Sequence, residues 1–131
     1  MKKKIIISAI DLYIIDKVRE FRVISTPTIS QETLSLGIAR PKNFIEEIEN
    51  LNNNVYSIRD LNLISNYLNI RLSDLFPIDN LADDLLELEV ELMPISATTV
   101  QIDKYGEVIK NYRILNGRII VDDKVNVINK I

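Results

Sequence analysis

Two adjacent side chains, Lys42 and Asn43, are of the types that read the edges of DNA bases. The Lys42 ammonium can donate to guanine O6 or N7, and the Asn43 amide can pair with adenine through two hydrogen bonds. Glu47 lies one helical turn beyond Asn43, and because a carboxylate only accepts hydrogen bonds, its base partner would be cytosine N4. Glu46 adds a second negative charge, and the two carboxylates together would repel phosphates. The segment therefore combines groups that can read bases with negative charges that repel the DNA phosphates.

Catalytic chemistry has few candidates in this chain. There is no cysteine and no histidine, which excludes thiolate nucleophiles, disulfides, thiolate metal sites and imidazole bases. Glu87, Glu89 and Glu91 lie two residues apart, so a strand would place all three on one face. They could hold a metal or act as an acid/base pair, but charged sheet faces are usually solvated, and at an edge they guard against aggregation. We expect no catalytic residue, no metal, no cofactor and no enzymatic activity.

Length and charge limit the function classes further. The chain has 131 residues, which suits one domain or a small domain with an appendage. Residues 1–77 carry 10 basic and 9 acidic side chains, and residues 78–131 carry 6 and 10, so neither half is strongly basic. This balance weighs against tight nonspecific DNA binding. The apolar run after the N-terminal lysines is short, so we interpret it as structure and expect a cytoplasmic protein with no membrane association.

Apolar residues at helical spacing, together with capping residues, predict five helices. They cover residues about 9–24, 30–37, 41–50, from 57 through 68, and 73–76. Ser30 and Ser57 are the predicted N-caps, and Pro41 is expected in the first turn of the third helix. The buried positions of this domain are predicted to be Leu34, Ile38, Ile45, Ile48, Leu61, Ile64, Leu68 and Leu72.

After residue 81 the pattern becomes that of strands. Residues 86–92 alternate strictly between apolar and acidic side chains, which predicts a half-buried strand. Residues 98–103 and 107–114 flank a turn at Gly106, and Asn116-Gly117 is a strong hairpin signal before another strand. A last strand is predicted at 124–128. The sequence thus predicts an α+β chain, with a five-helix domain at 1–80 and a small antiparallel meander at 81–131.

The segment from residue 30 to residue 50 has the layout of a helix-turn-helix: a short capped helix, a Gly/Ala/Pro break and a second short helix. It resembles the helix-turn-helix family of the lambda and 434 repressors and Cro (the XRE type). The matching residues are Ser30, Gln31, Leu34, Ile45, Ile48, Glu49 and Asn50. Residues 18–22 are similar to the family's first helix and residues 61–76 to its C-terminal part, so the resemblance covers roughly residues 10–77.

The resemblance implies roles for several side chains. Arg22 and Glu49 match a buried ion pair that holds the recognition helix against the scaffold. Gln31, at the start of the second helix, would contact a DNA phosphate. Ala39 stands at the turn position where the family usually has Gly.

The third helix should expose Arg40 together with Lys42, Asn43 and the two glutamates. Asn50, Asn52 and Asn54 could bind phosphates where relatives often use Lys or Arg, and these neutral donors would make binding weaker and less dependent on salt.

By this resemblance the chain would be a sequence-specific transcriptional regulator that binds double-stranded DNA, as a repressor that occupies its operator. A domain of this size reads about half a site, so we expect a homodimer formed through the C-terminal region. The apolar face of the predicted meander must pack on the helices or on another copy of the chain, and the candidates for that face are Ile109, Ile114, Ile119 and Val121. The alternative is a protein-interaction module of the antitoxin or antirepressor type, which keeps the fold with weak or no DNA binding; Glu46 and Glu47 favour it.

Overall fold

The computed structural model describes residues 1–95 and 99–120, which form four α-helices and a three-stranded antiparallel sheet. In chain order the elements are β1 (Lys2–Ser8), α1 (Ala9–Ile24), α2 (Gln31–Gly37), α3 (Phe44–Glu49), α4 (Ile58–Leu68), β2 (Leu85–Leu92) and β3 (Tyr112–Ile120). A short 3-10 turn, Leu72–Leu75, follows α4. The chain is therefore an α+β protein, but the prediction of five helices is wrong.

The predicted fifth helix is only this 3-10 turn. Asn69 ends α4 in the left-handed conformation, with φ of 57°, so the chain leaves the helical path before residue 72. The Asp74 carboxylate then accepts a hydrogen bond of 2.9 Å from the backbone N–H of Arg71 and closes one turn. Pro77 has no N–H with which a longer helix could continue.

The helix N-termini follow the capping residues, with one correction. Ser30 accepts from the N–H of Thr33, and Ser57 forms a reciprocal capping box with Asp60. The third helix was predicted to begin at Pro41, but α3 begins at Phe44. Residues 41–43 instead form a turn in which the Pro41 carbonyl accepts from the Phe44 N–H at 2.9 Å.

The N-terminal run that carries three lysines is strand β1, which the sequence pattern did not predict as a strand. It lies at one edge of the sheet and pairs antiparallel with β2, so the strand order is β1-β2-β3. Ile5 and Ile7 are buried against the helices, whereas Ile6 between them is 62% exposed. The first and last parts of the chain therefore share one sheet.

The predicted hairpin at Asn116-Gly117 does not form, because both residues lie inside the continuous strand β3. Asn116 pairs with Glu89 and Ile114 with Val90, so Leu115 is left over as a bulge. A Cβ on Gly117 would lie 2.8 Å from the Leu88 side chain. A larger residue would have to displace the Leu88 side chain, so this glycine is favoured by a close approach and not by a turn.

The other predicted hairpin is smaller than expected. Within the described residues, the predicted pairing of 98–103 with 107–114 reduces to one bridge between Ile102 and Val108, and residues 112–114 belong to β3. The turn between them places Gly106 at φ of 82°, a conformation that favours glycine. The strand predicted at 124–128 lies outside the described residues.

One hydrophobic core joins the helices to the sheet. Six of the eight predicted core residues are buried, whereas Leu68 and Leu72 are partly buried at its edge. Ile5 and Ile7 from β1 and Leu88 and Val90 from β2 belong to the same cluster. The sheet thus supplies one wall of the core that holds α1 and α3 in place.

Candidate nucleic-acid interface

The turn between α2 and α3 depends on one unusual backbone position. Ala39 adopts φ of 58°, which explains why a residue without a large or branched side chain stands there. The buried Ser35 hydroxyl accepts from the Ile45 N–H at 3.0 Å and donates to the Gln31 carbonyl at 2.8 Å. This hydroxyl, which no sequence pattern singled out, joins α2 to the first turn of α3.

Arg22 and Glu49 form a buried bidentate ion pair between α1 and α3. Arg22 Nε lies 3.1 Å from Glu49 Oε2, and Nη2 lies 2.7 Å from Oε1. Gln31 donates its amide to the same Glu49 oxygen at 3.0 Å, so the side chain predicted to contact a phosphate is partly engaged. The amide carries two N–H donors, which leaves one for another acceptor.

Arg19 is a second buried guanidinium, which was not predicted from the sequence. It lies 1% exposed between Asp16, 2.8 Å from Nη1, and Asn111, 2.8 Å from Nη2. Its Nε lies 3.6 Å from Glu49 Oε1, so Arg19 and Arg22 share one carboxylate. The only sequence signal was spacing: Asp16, Arg19 and Arg22 recur every three residues along one side of α1.

The start of β3 is attached to α1 and to the end of α3. Tyr112 donates its hydroxyl to Asp16 at 2.9 Å, and burial together with that carboxylate raises the pKa of Tyr112 well above its ordinary value. Asn111 donates to Asn50 Oδ1 at 2.9 Å. Asn50, a predicted phosphate ligand, is therefore bound to the C-terminal segment.

Lys42 and Asn43 present their side chains at the N-terminal end of α3. Both are exposed, and neither side chain forms a hydrogen bond with the residues that the structure describes. Arg40, predicted to be exposed with them, is half-buried, and its Nε and Nη2 donate to Asp60 Oδ1 at 3.1 and 2.8 Å. Burial would raise the pKa of Asp60, but hydrogen bonds from Ser57 and Arg40 outweigh it and lower that pKa.

The opposite end of α3 carries a chain of polar contacts. Asn52 donates to Glu47 Oε2 at 2.9 Å and accepts from Lys3 Nζ at 2.6 Å. Partial burial lowers the pKa of Lys3, and the Glu47 carboxylate opposes that shift. Asn54 is exposed and forms no hydrogen bond within residues 1–95 and 99–120. Glu47, predicted to read cytosine, is thus partly engaged with its own scaffold.

The row of three glutamates on β2 faces outward and pairs with cations across the sheet. Glu87 contacts Arg118 and Glu91 contacts Arg113, while Glu89 lies opposite Lys4 in the register. Such exposed pairs contribute little stability, about 0–1 kcal/mol each. Among the described residues no group of carboxylates could hold a metal ion.

Comparison with protein-family models, with curated proteins and with solved structures finds no match to this chain. Within residues 1–95 and 99–120, no helix combines the length and the apolar composition that a membrane crossing requires. The function therefore has to be inferred from the geometry of the site itself.

Proposed function

We propose that this chain is a sequence-specific DNA-binding transcriptional regulator of the lambda-repressor-like helix-turn-helix type, which represses by occupying an operator. The supporting observation is the orientation of α3. Ile45, Ile48 and Glu49 anchor the helix in the core, while Lys42 and Asn43 are exposed at its N-terminal end. A short helix held in this way can enter a major groove with its first residues toward the bases.

A protein-interaction module is the second candidate, and charge favours it. Glu46 is exposed and Glu47 is half-exposed on the same helix, and both would lie close to phosphates. Asn50 Oδ1 accepts from Asn111, so this predicted phosphate ligand is held by the C-terminal segment, although that bond uses neither of its N–H donors. Under this candidate the same surface would bind a protein in place of a duplex.

We expect Lys42→Ala and Asn43→Ala to relax the base preference of the protein, because each removes a donor to base edges. The loss of discrimination at the affected base pair should be about 1–3 kcal/mol for a bidentate contact. The measurement is selection of binding sites from random duplex DNA, followed by competition between the selected duplex and single-base variants.

Gln31→Ala is the matched control, because a phosphate contact carries no sequence information. It should weaken binding to all duplexes alike, provided that its thermal unfolding shows an intact fold. If Lys42→Ala and Asn43→Ala keep the wild-type base preference, the protein does not read bases through these two side chains. If the wild-type protein selects no sequence, the interaction module becomes the better candidate.

We also propose that the regulator is a homodimer that contacts DNA with two copies of α3. Strand β3 supports this, because within residues 1–95 and 99–120 only its β2 side is paired, and its other side is where a second copy would add. Ile114 and Ile119, opposite the inward residues Val90 and Leu86, are 49% and 54% exposed. Ile109 is also exposed, whereas Val121 lies outside the described residues. Arg113 and Arg118 are already paired with glutamates, so two such edges could meet without unpaired charges.

Ile114→Glu combined with Ile119→Glu should convert the dimer into a monomer, because four carboxylates would then face each other at the two-fold contact. Sedimentation equilibrium at micromolar concentration would measure the change, with Leu36→Glu, on the exposed side of α2, as the control that stays dimeric. A wild-type protein that is monomeric at high micromolar concentration, and still binds its selected duplex tightly, would contradict the dimer.

A further inference from the structure

The loop between α3 and α4 carries no basic residue of its own. Residues 50–57 contain neither lysine nor arginine, although this loop borders the exposed face of α3. A cation nevertheless reaches it from the N-terminal strand: Lys3 of β1 places its ammonium 2.6 Å from Asn52 Oδ1. The sheet thereby supplies to this loop a charge that the loop sequence lacks.

We propose that Lys3 and Asn52 together form a binding site for a DNA backbone phosphate, beside the end of α3. This inference rests on the proposed DNA-binding function and adds to it a contact from outside the helix-turn-helix. The Lys3 ammonium has three donors, of which the contact with Asn52 uses one, and the Asn52 amide has a second N–H besides the one given to Glu47. Both groups can therefore donate to a phosphate oxygen while their mutual bond fixes their spacing.

Only one of the three consecutive lysines is suited to this role. Successive side chains of a strand point to opposite faces, and Lys2 and Lys4 lie on the outer face, opposite Glu91 and Glu89 in the register. Lys3 is on the inner face with Ile5 and is half-buried at the border with the loop. Lys4 is therefore a matched control: the same residue type on the same strand, but on the other face.

A simpler role for Lys3 has to be separated from this one. Asn52 links Lys3 to Glu47, so Lys3 could act on DNA binding only by offsetting the negative charge of Glu47. In that case its effect should disappear when Glu47 is made neutral. A direct phosphate contact predicts that the effect persists.

The test measures DNA affinity against salt concentration for the full chain, with a mixed-sequence duplex of about 30 base pairs and with the selected duplex. Removal of one phosphate-binding cation should reduce the slope of log K against log salt by about 0.9. We expect Lys3→Gln to reduce the steepness of the slope by about that amount on both duplexes. Lys3→Arg should retain most of the wild-type slope, and Lys4→Gln should leave the wild-type slope unchanged. Thermal unfolding of each variant shows whether the sheet is intact.

The Glu47→Gln background separates the two roles of Lys3. A slope reduction on adding Lys3→Gln to Glu47→Gln supports the phosphate site. If Lys3→Gln has no effect in that background, or if Lys4→Gln matches Lys3→Gln, the inference is wrong while the proposed function stands. If the wild-type protein binds neither duplex, the proposed function fails and this inference fails with it.

Discussion

Replacement of Glu49 by alanine is expected to lower the free energy of unfolding by about 3–5 kcal/mol, as is typical when one partner of a buried ion pair is removed. Glu49 is 0% exposed and accepts from Arg22 and Gln31, with the Arg19 guanidinium 3.6 Å away. The substitution would leave the buried Arg22 guanidinium beside a cavity and without its carboxylate, whereas Arg19 would keep Asp16. Urea unfolding followed by circular dichroism at pH 7 would measure the change.

Glu46→Ala is the control, because this residue has the same charge on the same helix but is exposed. It should change the free energy of unfolding by no more than about 0.5 kcal/mol, as is usual for surface positions. Equal effects of Glu49→Ala and Glu46→Ala would show that the buried ion pair of Glu49 with Arg22 contributes no more to stability than a surface residue. The fixed position of α3 would then have to be explained by contacts other than this ion pair.

Local signals in the sequence predicted much of the helical part. The observed bounds of α1 agree with its apolar spacing, and Ser30 and Ser57 cap the helices that they were expected to cap. Capping depends on contacts across three residues, which a sequence displays directly. The pairing of Arg22 with Glu49 could be predicted only from the family resemblance, because the two residues are 27 positions apart in the sequence.

Contacts between distant parts of the chain account for what was missed. The apolar run Ile5–Ile7 is too short to show from the sequence whether it is a strand or the start of α1. Its pairing with β2 makes it a strand. Arg19 binds Asn111 across 92 residues, a contact with no local signal. Asn116-Gly117 has strong turn chemistry, but the approach of Leu88 and the pairing with β2 override it.

The shared sheet has a consequence for the two segments that the sequence suggested, 1–80 and 81–131. A fragment of residues 1–80 is expected to be largely unfolded at 25 °C. Without β2 the β1 backbone has no partner, and Ile5 and Ile7, now 6% and 9% exposed, would face water. Burial of such side chains contributes about 1.5–3 kcal/mol each, a large part of the 5–15 kcal/mol that is typical of a whole domain. Arg19 would be deprived of Asn111 and Tyr112 as well.

The far-ultraviolet circular dichroism and the urea transition of this fragment, compared with those of the full chain, would measure the loss of structure. Residues 81–131 added as a separate peptide should restore the helical signal, because β2 and β3 can then complete the sheet and the Arg19 contacts. A fragment of residues 9–80 tests the same point without the exposed strand β1, which removes aggregation of that strand as a cause. If residues 9–80 alone unfold cooperatively and are as helical as the same segment in the full chain, the helices fold without the sheet. The C-terminal strands would then act on the helix-turn-helix only through the contacts of Asn111 and Tyr112.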